Sequence, residues 1–185
     1  MINWSNRLIE AKDFARLAHA GQVRKYTGES YIFHPLEVAE IVSEYTDDED
    51  VIIAAIHHDL LEDTKVLVLD IYERFGGRVT EFVEELTDFY TSEIFPNQNR
   101  AWRKAQEAAR IATISNESKL IKMADLFSNT KSIVEHDPNF ARVYLREKTV
   151  VMKGLKGAND ELYARVENQL KESLDILGKQ DNIGI

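Results

Sequence analysis

Apolar residues recur at the period of an α-helix through almost the whole chain, and the alternation typical of β-strands is nearly absent. In residues 3–20 they form one stripe, which Gly21 ends: Trp4, Leu8, Ala11, Ala15 and Ala18. The same period predicts further helices over 35–45, 50–62, 66–75, 78–90, 100–114, 117–135, 139–155 and 159–178. The sequence therefore predicts an all-α fold, a compact bundle of about eight helices.

The composition narrows the class of protein. The chain has 185 residues, of which 44% are hydrophobic, so we expect one core and a single domain over residues 1–185. It contains no cysteine, which excludes a disulfide scaffold and a thiolate zinc site. The N-terminus does not resemble a secretory signal, and the longest apolar run, residues 51–56, is too short to cross a bilayer. We therefore expect a cytoplasmic protein without a membrane partner.

The net charge of the chain bears on its ligands. A formal charge of −9 disfavours a nucleic-acid polymer as partner, because such binding needs many contacts from lysine and arginine to phosphates. A small anionic ligand is compatible with this charge, since a few local cations can dominate one pocket. The sequence leaves a homo-oligomer open.

A cluster of ionisable residues follows the most apolar stretch of the chain. Residues 51–56 read VIIAAI, and His58, Asp59, Glu62 and Asp63 come soon after them. On a helix these four side chains share an arc of about 140°. Carboxylates that close repel one another unless a cation lies among them, and a divalent metal ion is the simplest such cation. An exposed acidic helix end that binds nothing is the alternative interpretation of this segment.

Two more residues extend the possible metal site. Asp125 lies in LIKMADLF, where burial of a carboxylate is costly unless it is paired, hydrogen-bonded or bound to a metal; a buried arginine partner or a helix cap is the alternative. Asn129 shares its helix face one turn later. His34 precedes a proline, where a structural hydrogen bond is the alternative role. With His58 and Asp59, these residues offer two imidazoles and two carboxylates, which suits Mn²⁺, Fe²⁺ or Zn²⁺ rather than a calcium cage.

Four segments together resemble the hydrolase domain of the RelA/SpoT alarmone enzymes: AHAGQVRKYTGESYIFHPLEVAEIV, HHDLLEDT, FGGRV and KMADLFSNT. The order His, His-Asp, Asp is that of the HD phosphohydrolase superfamily. The length resembles that of the stand-alone small alarmone hydrolases of the metazoan SpoT homologue type. This resemblance covers roughly residues 10–150. It implies an HD-type helical bundle that removes the 3′-pyrophosphate of (p)ppGpp, giving GDP or GTP plus pyrophosphate.

The resemblance also implies roles for individual residues. Four positions match the family's metal ligands, for which Mn²⁺ or another first-row divalent ion is the implied cofactor: His34, His58, Asp59 and Asp125. Two match the acidic pair that orients and activates the attacking water: Glu62 and Asp63. Arg24 and Lys25 match the basic pair near the guanine and the phosphates, and Asn129 matches a pocket residue of the helix that carries KMADLFSNT.

Other positions carry less specific expectations. Four are further candidates for substrate binding, with a solvent-facing helix surface as the alternative: Arg103, Lys104, Arg142 and Tyr144. His57 stands where the family usually carries an apolar residue, and we expect it to pack in the core.

Three functions remain open from the sequence alone. The first is a (p)ppGpp 3′-pyrophosphohydrolase acting on a small nucleotide. The second is an HD phosphatase on another nucleotide, such as the 2′-phosphate of NADPH or a nucleoside phosphate, since the same metal site would serve both. The third is a metal-bound nucleotide sensor without catalysis, which the acidic pair argues against because a sensor needs no water-activating group.

Overall fold

A computed structural model describes residues 2–183 and, within them, the side chains as far as Gly178. This part of the chain confirms the all-α fold and contains ten helices: α1 Asn6–Ala18, α2 Phe33–Val42, α3 Glu49–His57, α4 Leu60–Asp63, α5 Val68–Phe75, α6 Gly77–Leu86, α7 Arg100–Ile111, α8 Asn116–His136, α9 Pro138–Leu155 and α10 Asp160–Ile183. The β-pairing in the described residues is one isolated bridge between Val23 and Ser30. None of the described helices is long and apolar enough to span a bilayer.

Side-chain caps explain where several helices begin. Six residues accept a hydrogen bond from a backbone N–H two or three positions later, which satisfies one of the free donors of the first turn: Ser5, Asp48, Asn99, Ser115, Asp137 and Asn159. Asp48 directly precedes α3, whose first two residues, Glu49 and Asp50, are acidic and suit a helix N-terminus. Pro138 follows Asp137 as the first residue of α9, where a missing N–H costs nothing.

Helices α3 and α8 form the interior of the bundle. Every residue of α3 from Val51 to His57 is buried, so this helix has no solvent-facing side. It packs against α1, α2, α6 and α8, and α8 packs in addition against α2, α6, α9 and α10. The start of α2, the end of α3 and the middle of α8 therefore lie close together inside the protein.

The predicted helix over 50–62 is interrupted at the start of the acidic segment. Helix α3 ends at His57 and α4 begins at Leu60, and Asp59 between them has φ −99° and ψ −1°. These angles lie in the sparsely populated bridge region between helix and turn. Continuing α3 would carry the next carboxylates into its buried path, whereas the turn leaves Glu62 and Asp63 exposed. The break in the helix therefore lets the acidic side chains of this segment reach solvent.

His57 packs inside the core, as expected from the sequence. Its Nε2 lies 3.0 Å from the carbonyl oxygen of Ala11, and its ring contacts Phe14 and Phe75 edge-on, with centroids 5.5 and 4.6 Å away. Burial lowers the pKa of His57 to about 4, so the ring is neutral near pH 7.

Candidate active site

Four side chains that are distant in the sequence meet where α2, α3 and α8 come together: His34, His58, Asp59 and Asp125. Nε2 of His34 lies 3.3 Å from Oδ1 of Asp125, and Nε2 of His58 lies 3.1 Å from Oδ2 of Asp59. The two crossed distances, His34 to Asp59 and His58 to Asp125, are 3.6 and 3.7 Å. Two ligands about 2.1 Å from one ion and roughly 90–110° apart would be about 3.0–3.4 Å from each other. His34, His58 and Asp59 each offer a ligand atom within 4.8 Å of the other two, which suits one metal ion, and Asp125 lies beside both histidines.

Each histidine is oriented by a hydrogen bond on the far side of its ring. Nδ1 of His58 lies 2.9 Å from the carbonyl of Ala55, which only accepts, so Nδ1 carries the proton and Nε2 offers its lone pair. Nδ1 of His34 lies 3.0 Å from Oγ of Ser128, which donates its own hydrogen to Glu37. His34 therefore also presents the lone pair of Nε2 to the cluster. Nε2 of His58 is buried without a hydrogen-bond partner in the described part of the chain, which suits a metal-binding nitrogen.

The electrostatics of the cluster favour a cation. Burial alone would raise the pKa of Asp125, but Lys122 and the two histidines hold that pKa well below its usual range. The pKa of Asp59 is also lowered, against the effect of burial, mainly by the adjacent His58. Burial lowers the pKa of His58, yet the two carboxylates raise it well above its usual value. A proton on His58 or a divalent ion would relieve the same excess of negative charge.

Glu62 lies on α4, next to the cluster. The backbone N–H of Asp88 donates a hydrogen bond to its Oε1 over 2.6 Å. Although part of the residue reaches solvent, partial desolvation of the carboxyl and then the negative charge of Asp88 raise the pKa of Glu62 to about 7. A carboxyl with such a pKa can both accept and release a proton near neutral pH.

Tyr31 joins two of the predicted site residues. Its hydroxyl lies 2.7 Å from Oδ2 of Asp59 and 2.9 Å from Oδ2 of Asp63. Burial and the two carboxylates raise the pKa of Tyr31, so the hydroxyl stays protonated and can donate. Because one hydroxyl has one hydrogen, it serves the two carboxylates in turn. Tyr31 therefore couples the position of Asp63 to that of Asp59.

The predicted nucleotide-binding residues separate in the structure. Nη2 of Arg24 donates to Oδ1 of Asn129 over 3.2 Å, and Nδ2 of Asn129 donates to Oδ1 of Asp125 over 2.6 Å. The side chain of Arg24 is 14% exposed, whereas that of Lys25 is 74% exposed and lies against Tyr26. The fold brings Arg24 and Asn129 to the cluster and leaves Lys25 at the surface.

Comparison with known families is decisive for the class of protein. A family model described as an HD domain matches residues 11–161. The chain belongs to the HD-domain family. Over 174 residues it is 32% identical to the mouse guanosine-3′,5′-bis(diphosphate) 3′-pyrophosphohydrolase MESH1, covering 90% of this chain and 94% of that protein. The human MESH1 protein is 33% identical over 97% of both chains.

A bacterial relative and a solved structure agree with this assignment. The Aquifex aeolicus guanosine-3′,5′-bis(diphosphate) 3′-pyrophosphohydrolase is 39% identical over 70% of this chain, which spans only 18% of that longer protein. The structure of a metazoan SpoT orthologue that hydrolyses ppGpp superposes with a TM-score of 0.81 at 27% identity, covering 93% of this chain and 98% of that one. This HD domain is thus homologous to the MESH1 and SpoT hydrolases.

Two of the less specific candidates lie near the cluster of this HD domain. Nζ of Lys104 lies 2.8 Å from Oδ2 of Asp88, the residue whose backbone N–H contacts Glu62. Tyr144 is buried, and burial together with the negative charge of Asp125 raises its pKa. Both positions are consistent with a wall of the same site.

The other two candidates make contacts elsewhere. Arg103 donates a hydrogen bond to the carbonyl of Gln98, close to the start of α7. Arg142 lies two residues before Tyr144, about 200° away around α9, and its guanidinium is 3.5 Å from the carbonyl of Leu177 on α10. These contacts do not link either arginine to the cluster, so substrate binding by Arg103 and Arg142 stays a prediction.

The structure adds residues that sequence reasoning did not single out. The sequence could have indicated Tyr31 and Lys122, because Tyr31 lies three positions before His34 and Lys122 three positions before Asp125. Residues with this spacing lie on the same side of a turn or helix. Asp88 had none, because its loop is brought to Glu62 by tertiary packing. The pair Ser128 and Glu37 acts behind His34, and only the fold shows that contact.

Proposed function

We propose that this HD domain is a Mn²⁺-dependent (p)ppGpp 3′-pyrophosphohydrolase that yields GDP or GTP plus pyrophosphate. The observation that carries the proposal is the convergence of four ligand-type side chains beside an acidic pair: His34, His58, Asp59 and Asp125, with Glu62 and Asp63. The full-length similarity to MESH1 supports the substrate. The net charge of −9 supports a small nucleotide over a nucleic-acid polymer. We further propose one domain over residues 1–185 and a cytoplasmic location.

The two histidines and two carboxylates would hold the ion. Their donor set of two nitrogens and two oxygens suits a first-row divalent metal, Mn²⁺ included. Such an ion lowers the pKa of bound water and polarises a phosphoryl oxygen. The hydrogen bond from His58 to Ala55 and the chain from His34 through Ser128 to Glu37 fix the direction of both imidazoles.

Glu62 would take the proton from the attacking water. Its carboxyl needs to be ionised for this, and a pKa of about 7 leaves a large ionised fraction at neutral pH while keeping the group basic. The hydrogen bond from the N–H of Asp88 holds one oxygen of Glu62, so that the other can face the water. Asp63 would orient the water, with its own carboxylate steadied by Tyr31.

Arg24 would bind the guanine. Its guanidinium is planar and can stack on a purine, and its hydrogen bond to Asn129 fixes the plane. Asn129 also donates to Asp125, so the base-binding wall and the metal cluster share one amide. This arrangement supports a nucleotide whose base and phosphate are recognised together.

The decisive experiment incubates purified protein with a panel of nucleotides and separates the products by chromatography. The panel contains ppGpp, pppGpp, NADPH, GTP and cytidine nucleotides, each with Mn²⁺ or with a chelator. We expect GDP from ppGpp and GTP from pppGpp, with pyrophosphate released in equal amount and only when Mn²⁺ is present. The Glu62→Gln variant is the control for contaminating hydrolases. Release of phosphate from NADPH with no turnover of ppGpp would contradict (p)ppGpp as the substrate, but it would still agree with a metal-dependent phosphatase of the HD family.

A further inference from the structure

Three lysines from three helices surround the loop that carries Asp88. Lys104 on α7 lies 2.8 Å from the carboxylate of Asp88, and Lys122 on α8 lies 3.2 Å from Oδ2 of Asp125. Lys148 on α9 completes the group, and all three act to lower the pKa of Asp88 against its burial. Lys104 and Lys122 are each matched by a carboxylate.

Lys148 is the lysine without such a match. No carboxylate of the described residues lies within 4.0 Å of its ammonium, which lies 5.2 Å from the centroid of the Tyr144 ring one turn earlier. The residue is half-buried. Burial and the positive charges of Lys122 and Lys104 lower the pKa of Lys148 to about 8. Its environment therefore opposes a positive charge at this position.

A stabilising ion pair does not account for the placement of Lys148. An ammonium that stabilises a fold is paired with a carboxylate or reaches bulk water, because desolvation without a partner costs free energy. Lys148 has no carboxylate partner within 4.0 Å in the described part of the chain, is only half-buried, and has two other cations near it. An anion beside Lys148 would supply the missing negative charge.

We propose that Lys148 binds a phosphoryl group of the nucleotide other than the one at the metal cluster, and that it sets the preference for highly phosphorylated substrates. The inference rests on the proposed function for the identity of the nucleotide. Two phosphoryl groups of (p)ppGpp have this chemistry: the outer phosphate of the departing 3′-pyrophosphate and the phosphates on the 5′ oxygen. The experiment distinguishes them.

The test compares Lys148→Met, Lys148→Arg and Lys153→Met. Lys153 is an exposed lysine on the same helix and serves as the matched control for loss of one charge. The substrates are guanosine 3′-diphosphates that carry one, two or three phosphates at the 5′ position. We expect Lys148→Met to lower kcat/KM by about tenfold or more, since a charge-assisted contact to phosphate is lost. Lys148→Arg should recover most of this loss, and Lys153→Met should match the wild type.

The losses in kcat/KM for the three substrates show which phosphoryl group Lys148 binds. If Lys148 binds the 5′ phosphates, the loss in Lys148→Met grows with their number. If it binds the departing group, the loss is the same for all three substrates and inhibition by inorganic pyrophosphate weakens. Equal kcat/KM in Lys148→Met and wild type overturns the proposal. So does a lower melting temperature in Lys148→Met with unchanged kinetics, since that result assigns the residue to the fold.

Calorimetric binding of inorganic pyrophosphate separates this inference from the proposed function. If the wild type hydrolyses none of the guanosine substrates, the proposed function fails. Weaker pyrophosphate binding in Lys148→Met than in Lys153→Met would still support an anion site at Lys148. Equal binding in the two variants would overturn that site as well.

Discussion

Nη2 of Arg24 donates a hydrogen bond to Oδ1 of Asn129 over 3.2 Å, and this contact joins segments 105 residues apart. The amide of Asn129 is thereby fully oriented, because its Nδ2 donates to Asp125 on the other side. A change at Arg24, the proposed base-binding residue, can thus alter the position of Asp125, a candidate metal ligand. The predictions for Arg24 and for the cluster must therefore be tested with metal content measured each time.

Arg24→Ala is expected to raise the KM for ppGpp by about tenfold or more, with a smaller effect on kcat. Loss of stacking on a base is worth roughly 1–3 kcal/mol by analogy with aromatic stacking. Steady-state kinetics check this, and Arg16→Ala, an exposed arginine on α1, is the matched control. Unchanged kinetic constants in Arg24→Ala would show that this loop is not the base-binding wall.

Removing a ligand should remove the metal. We expect His58→Ala and Asp125→Ala to purify without the ion, and wild type to hold one divalent ion per chain that chelation removes and Mn²⁺ restores. Elemental analysis of dialysed protein measures this directly. Asp13→Ala changes an exposed aspartate and should keep full occupancy. Full metal occupancy in Asp125→Ala would show that Asp125 is not a metal ligand.

Glu62→Gln should keep the metal and lose turnover by about 10²–10⁴-fold, the usual contribution of a positioned general base. In the wild type, kcat should fall as the pH drops through about 7 or somewhat lower, because Glu62 becomes protonated and a bound cation lowers its pKa further. The residual activity of Glu62→Gln should not show this fall in kcat. The pH profiles of both proteins with Mn²⁺ provide the measurement, and loss of metal in Glu62→Gln would reassign the residue as a ligand.

The sequence predicted the cluster better than its surroundings. His34, His58, Asp59 and Asp125 could be found because two stand against apolar runs and all four match a family pattern. The turn at Asp59 could not be predicted, because the apolar pattern over 50–62 is that of one continuous helix. The turn is needed because α3 is buried in the bundle, and only the fold shows that.

The polar walls of the site depend on tertiary packing. Asp88 and Lys148 reach the site from a loop and from α9, and no local pattern marks either residue. Arg142 and Tyr144 differ by two positions on one helix, so the same segment predicted both while the fold turns them in different directions. Which face of a helix is inward is settled by its neighbours.

Gly154 on α9 packs closely against Ala112, the residue that follows α7. A Cβ at this position would lie 2.7 Å from Cβ and 2.9 Å from Cα of Ala112. We expect Gly154→Ala to destabilise the protein by about 1–3 kcal/mol despite the better helix propensity of alanine. Chemical denaturation measures the loss, and Gly77→Ala is the control, since a Cβ there would lie 3.4 Å from the Tyr72 side chain, an ordinary van der Waals distance. Equal stability of Gly154→Ala and wild type would mean that the two helices separate easily.

His57 should make the stability of the fold depend on pH. Burial lowers its pKa from 6.5 to about 4, so between these values the unfolded chain binds a proton that the folded chain does not. The stability that His57 contributes is therefore present above pH 6.5 and is lost as the pH falls towards 4. From pH 7.5 to pH 5 the loss amounts to about 2 kcal/mol.

The measurement is the free energy of unfolding by urea at several pH values for wild type, His57→Gln and His136→Gln. Glutamine can still donate to the carbonyl of Ala11 but does not titrate, so His57→Gln should lose about 2 kcal/mol less than wild type over this interval. His136 is exposed, and its replacement should leave the wild-type slope. The same slope in all three proteins would mean that His57 already binds a proton in the fold, which its contacts with Phe14 and Phe75 argue against.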